Sequence, residues 1–186
     1  FLSEGDVQCR LFLELYKNQD LRRPEATKDG HQIIPLHSEV TYFDEKGEKL
    51  TKHIDISAIN PSNTNVYSRD QRQPGIKLSR RTSKGYEFGD SYFLIEIKLN
   101  RGNWSKRKTG EFWECDLKKL VGLRKRLVND ILGTVEDAEY IFAAILFDKR
   151  GHFSEEEIIS YRNKYPGITL VYAKPNKFQR NQVSGA

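Results

Sequence analysis

The segment Leu94-Ile95-Glu96-Ile97-Lys98 sets a carboxylate and an ammonium two positions apart inside an apolar run. On a strand, residues two apart leave the same face, so Glu96 and Lys98 project together while Ile95 and Ile97 anchor the other side. Burying such a pair is costly unless it has a partner or a task. Asp55 interrupts an apolar pattern in the same way within His53-Ile54-Asp55-Ile56, where Ile54 and Ile56 are expected on one face and His53, Asp55 and Ser57 on the other. If the two strands pair, Asp55 and Glu96 converge on one divalent cation. Oxygen ligands with several waters suit Mg²⁺ or Mn²⁺. A cation of that kind polarises a phosphodiester and acidifies a bound water. Lys98 would position that water or hold the scissile phosphate against developing charge. Asp90 is nearer in sequence, but on a continuous strand it lies roughly 20 Å from Glu96 and cannot share an ion with it.

Elements that must carry these residues can be read from the spacing. Ser3-Glu4-Gly5-Asp6 is a helix start, followed by Val7, Leu11 and Leu15 with Phe12 widening the stripe, and the helix is expected to end near Asn18. Residues 22–30 read as a loop. Residues 36–43 and 50–59 form a hairpin signal around the Gly-containing turn 44–48. Residues 92–99 are the most strand-like stretch. After a turn-rich 100–110, residues 115–132 have helical spacing through Leu117, Leu120, Leu123 and Leu127. Residues 140–147 read as a buried strand, Ser154 to Glu157 as a capping box, and 168–173 as a last strand. The order helix, three strands, helix, strand, helix, strand predicts an α/β domain with a mixed sheet. It would span residues 1–176, with 66–90 as a basic insertion or extra hairpin and 177–186 as a polar tail.

Composition narrows the class. The 186 residues carry a net charge of +5, but eleven bases face only four acids between residues 68 and 108. The window includes Arg80, Arg81, Lys84, Arg101, Lys106, Arg107 and Lys108, candidate contacts for a phosphate backbone, with a solvated basic loop as the bland alternative. Two distant cysteines exclude a disulfide scaffold or a Cys-based zinc finger and suit a reducing, cytoplasmic setting. No apolar run is long enough to span a bilayer, so no membrane partner is expected.

The order of an early Glu on a helix, a hairpin, Asp, then hydrophobic-Glu-hydrophobic-Lys resembles the PD-(D/E)XK nuclease superfamily. The match runs through residues 3–8 (Ser-Glu-Gly-Asp-Val-Gln), 53–56 (His-Ile-Asp-Ile) and 94–98 (Leu-Ile-Glu-Ile-Lys) to the helix around 116–120. The resemblance implies a restriction-endonuclease-like three-layer fold: a mixed central sheet flanked by helices, with the basic segment looped out. It makes Asp55 and Glu96 metal ligands, with Ile97 at the same metal site, Lys98 the catalytic lysine and Glu4 the accessory acid. It also implies Mg²⁺ or Mn²⁺ as cofactor, nucleic acid as partner with DNA ahead of RNA, and a possible homodimer. No proline precedes Asp55, and the gap from Asp55 to Glu96 is longer than usual for the superfamily.

Other residues carry two readings each. Glu14 and Glu39 are alternative accessory acids, or a solvated edge residue and half of a cross-strand ion pair. His37 and His53 could meet metal or phosphate, though ordinary hydrogen-bonded histidines are the simpler expectation. Trp104 and Trp113 flank a basic turn and would either stack on bases or pack in the core. Lys118, Lys119, Arg124, Lys125 and Arg126 would either track a backbone or be solvated. A metal-dependent nuclease is therefore the leading function. A catalytically inactive nucleic-acid-binding module on the same fold, or a protein-interaction component, are the alternatives.

Overall fold

Ser3 opens the first helix as the sequence suggests. Its hydroxyl accepts from the Asp6 N–H at 3.0 Å while its own N–H donates to the Asp6 carboxylate, a reciprocal cap for α1 (Glu4–Leu15). In a computed structural model, the structure describes residues 3–44, 48–50, 53–66, 85–87, 91–127 and 140–174. Asp90, most of the basic insertion with Arg80, Arg81 and Lys84, and the tail 177–186 lie outside the described residues.

Where the sequence reads as a loop after α1, the structure has α2 (Gln19–Arg22) and a small hairpin of β1 (Glu25–Ala26) and β2 (Gln32–Ile33). Both rest on local side-chain hydrogen bonds. Asn18 caps α2 through the Asp20 N–H, and Thr27 Oγ1 accepts from the His31 N–H at 2.9 Å in the hairpin turn. Neither leaves an apolar period to detect.

The main strands are β3 (Leu36–Phe43), β4 (Ile54–Ile59), β5 (Gly85–Glu87), β6 (Ser91–Asn100), β7 (Ile141–Asp148) and β8 (Thr169–Ala173). They form one six-stranded mixed sheet in the order β5-β3-β4-β6-β7-β8. The β3–β4 and β4–β6 pairs are antiparallel, while β6, β7 and β8 run parallel. Parallel neighbours need crossovers, and these are α3 (Lys106–Arg126) and α4 (Glu155–Lys164). The mixed-sheet α/β expectation holds.

Helix α3 begins nine residues earlier than its leucines suggest. Ser105 caps it through the Lys108 N–H, so the second half of the stretch read as turn-rich, from Lys106 to Gly110, is helical. Asn100 ties this start to the sheet: its side-chain amide donates to Thr109 Oγ1 and to Asp148 Oδ1, each at 3.0 Å. One core lies between the sheet and α3 with α4, built from Leu94, Trp113, Leu117, Leu120, Ala144, Leu146 and Ile158 among others. On the opposite face Val7, Leu11, Phe12 and Leu15 of α1 cover Ile56, Ile95, Ile97 and Ala143. Helices therefore flank the sheet on both faces. Among the described residues no helix is long and apolar enough to cross a membrane.

Candidate active site

The antiparallel ladder between β4 and β6 includes Ile56 opposite Ile95, and no pair is formed beyond it although β6 continues to Asn100. Alternate N–H groups of a strand point to the same neighbour, so loss of β4 leaves those of Ile97 and Leu99 to be satisfied otherwise. Two carboxylates do so. Asp55 Oδ2 accepts from Ile97 N–H at 2.7 Å, and Glu4 Oε2, from the first turn of α1, accepts from Leu99 N–H at 3.1 Å. Each acid keeps a second oxygen. Glu4 Oε1 receives the Lys98 ammonium at 3.4 Å, whereas no hydrogen bond from a described residue reaches Asp55 Oδ1. Ile97 has only a backbone carbonyl to offer a cation, and it shares the open edge with its N–H.

A kink aims Asp55 this way. Leu36 belongs to the α1-side core but Val40 and Tyr42 to the α3 side, and Ile56 and Ile54 divide likewise. In a regular strand residues two apart share a face. Both strands turn over at the rung between Ser38–Ile56 and Val40–Ile54, where Glu39 adopts a left-handed φ of 56°. The expectation that Ile54 and Ile56 share a face is therefore wrong, for this reason. Gln8 of α1 pins the kink: its amide donates to the Asp55 carbonyl at 2.6 Å and to Glu39 Oε1 at 3.1 Å.

Glu96 and Lys98 face α3, and α3 supplies two residues that the sequence reading did not assign to the site. Asp116 Oδ2 lies 3.4 Å from Lys98 Nζ, and Lys119 Nζ lies 2.5 Å from Glu96 Oε1 while donating to the His53 carbonyl at 2.9 Å. Four carboxylates and two ammoniums thus meet at the break in the ladder. Burial pushes the Glu96 carboxyl up to about 8, opposed by Lys119 and reinforced by Asp55 and Asp116. Burial likewise raises Asp55 to about 6 against the pull of the Ile97 N–H, with Glu4 adding to the rise. Asp116 is raised by burial, with Lys98 and Lys119 opposing. Burial works against the Lys98 ammonium, yet Asp116, Glu4 and Asp55 together hold its pKa above the usual lysine value.

The other candidates fall outside this cluster. Glu14 is exposed and paired with Lys17, a solvated edge residue. Glu39 makes no cross-strand ion pair among the described contacts; it receives the Gln8 amide instead. His53 Nδ1 lies 3.2 Å from Thr41 Oγ1, and buried His37 contacts Tyr86. Trp113 is fully buried in the core, while Trp104 sits half-buried on the turn before α3. Lys118 pairs with Glu114 and Arg126 with Asp44, so the basic residues of α3 do not form one free stripe. Arg101, Lys106, Arg107 and Lys108 are exposed around the same turn, with Lys106 paired to Glu157 and Arg107 near Glu111.

Whether the cluster suits a cation depends on the kind of cation. Among the described residues no group of three or more His, Cys, Asp or Glu side chains is arranged to hold a metal. That excludes a preformed zinc-like cage from them. Mg²⁺ keeps several waters and is commonly held by one or two carboxylates, so it would need no such group; Asp55, Glu96 and the Ile97 carbonyl are the groups at the break that could serve it. The two carboxylates that resist ionisation most visibly are the two that a divalent charge would relieve. A scan against protein-family models, a search of curated proteins and a search of solved structures each find no match to this chain.

Proposed function

We propose that the chain is a metal-dependent nuclease on a restriction-endonuclease-like fold, hydrolysing phosphodiester bonds, in DNA ahead of RNA. The observation that carries this reading is the charge set at the broken ladder. Glu4, Asp55, Glu96 and Asp116 surround Lys98 and Lys119. Fully ionised, four acids and two bases leave two negative charges, which is the charge one Mg²⁺ or Mn²⁺ balances. A cation held by Asp55, Glu96 and the Ile97 carbonyl would supply Lewis acidity to a phosphoryl oxygen and acidify water.

The remaining work falls to side chains. Lys98 stays an ammonium because its acidic neighbours hold its pKa high. It therefore donates to a phosphoryl oxygen as negative charge develops there, rather than removing a proton from water. Glu4 and Asp116 fix its position from two sides. Lys119 counters Glu96 when no cation does.

The test is cleavage of plasmid and single-stranded DNA with Mg²⁺, Mn²⁺ or chelator. Lys98→Ala and Glu96→Gln are expected to lose at least about a hundredfold in rate while circular dichroism stays unchanged. Retained cleavage in both folded variants would overturn the reading. One observation favours a catalytically inactive nucleic-acid-binding module instead: an ammonium already sits 2.5 Å from Glu96. Salt-sensitive binding with no cleavage under any divalent ion establishes that alternative.

A further inference from the structure

Trp104 and Phe112 form an aromatic pair that the core does not use. Their ring centroids are 4.8 Å apart with planes inclined by 37°, and Phe112 is 41% exposed. Lys108 Nζ stands 5.8 Å from the Phe112 ring centroid, and Arg101 and Arg107 are exposed on the same turn. The pair is also placed by the helix. Lys108, Phe112, Asp116 and Lys119 follow one another at intervals of four, four and three residues on α3. They therefore run down one edge of it, with neighbours roughly 5–6 Å apart. At the far end of that row Asp116 touches Lys98 and Lys119 touches Glu96. The aromatic pair stands one helical turn from the acid that contacts Lys98.

An exposed aromatic surface rimmed by cations is what an unpaired nucleotide requires. The base stacks on the rings and the phosphates meet the ammonium and guanidinium groups, whatever the base identity. A regular duplex keeps its bases stacked on each other and presents mainly backbone. We propose that Trp104 and Phe112 stack a base of the strand whose phosphate lies at Lys98, so that the substrate class is single-stranded or locally unpaired nucleic acid. This rests on the nuclease reading for the position of the scissile phosphate, though the stacking itself needs no catalysis.

The two tryptophans separate the signal. Trp113 is fully buried and Trp104 is not, so quenching of intrinsic fluorescence by nucleic acid reports Trp104. The probe is a short oligothymidylate in chelator, compared with a blunt duplex. The expected result is saturable quenching by the single strand and little by the duplex. Phe112→Ala should weaken single-strand binding about tenfold in anisotropy. Trp104→Phe should keep the affinity and lose the quenching. Absence of quenching by the single strand, equal quenching by the duplex, or unchanged affinity in Phe112→Ala would overturn the proposal. Metal-dependent cleavage without quenching removes the stacking surface and leaves the nuclease. Quenching without cleavage in Mg²⁺ or Mn²⁺ supports the stacking surface and removes the nuclease.

Discussion

Replacing Glu96 with Gln keeps the shape of the side chain and removes its charge, which isolates what that charge costs the fold. Glu96 is 3% exposed. Its carboxyl is pushed up to about 8 from an ordinary 4.5. The fold thus prefers the protonated acid. Below the ordinary value both folded and unfolded chains hold the proton, and no penalty exists. As pH rises the unfolded chain releases its proton first, and folding stability falls by about 1.4 kcal/mol per pH unit until the folded value is passed. Asp55, raised to about 6, steepens the early part of the same decline.

For Glu96 alone the full window corresponds to an upper bound of about 5 kcal/mol, and relaxation and water penetration reduce this to roughly 2–3 kcal/mol. In a chain of this size that is about 5–10 °C in Tm. Thermal melts in chelator from about pH 5 to about pH 9 should show the wild type losing stability as pH rises. Glu96→Gln should melt with the wild type near pH 5 and above it near pH 9. Added Mn²⁺ should raise the wild-type Tm at high pH and leave the variant where it was, because binding releases no penalty there. A variant that melts at or below the wild type near pH 9 refutes the reasoning, as does a wild-type Tm independent of pH.

Lys119 opposes the rise at Glu96, so Lys119→Met should extend the decline to higher pH and lower the metal-free Tm near pH 9, read in the same melts. Gln8→Leu removes the donor that holds the Asp55 carbonyl at 2.6 Å. Loss of this part-buried hydrogen bond costs about 1 kcal/mol, seen as a few degrees in Tm, while cleavage should fall about tenfold or more because Asp55 loses its aim.

How far the sequence alone reaches depends on whether a contact is written along one element or between several. Glu96 and Lys98 were readable because two-residue spacing on a strand is a local fact, and Asp55 because an acid in an apolar strand is an anomaly wherever that strand pairs. Glu4 followed from the resemblance, and its carboxylate does reach Lys98. Asp116 and Lys119 were not assigned because their relation to Glu96 and Lys98 exists only once α3 has crossed back over β6. A signal was available: they sit three apart at the margin of the stripe made by Leu117 and Leu120, where a half-buried charge must find a partner. The start of α3 was hidden by Gly110 and a run of bases, a composition that reads as a turn until Ser105 is seen to cap it. The reversal at Asp55 was hidden more deeply. It depends on Glu39 in the opposite strand taking a left-handed conformation that its residue type does not favour. These facts have one physical origin. The ladder stops short, the Ile97 and Leu99 N–H groups of β6 take Asp55 and Glu4 as acceptors, Lys98 joins Glu4 to Asp116 of α3, and Lys119 joins Asp116 to Glu96. A ladder that continued would have satisfied both N–H groups from β4, so it is the interruption that commits Asp55 and Glu4 to this edge and sets them beside the acids and lysines that β6 and α3 contribute.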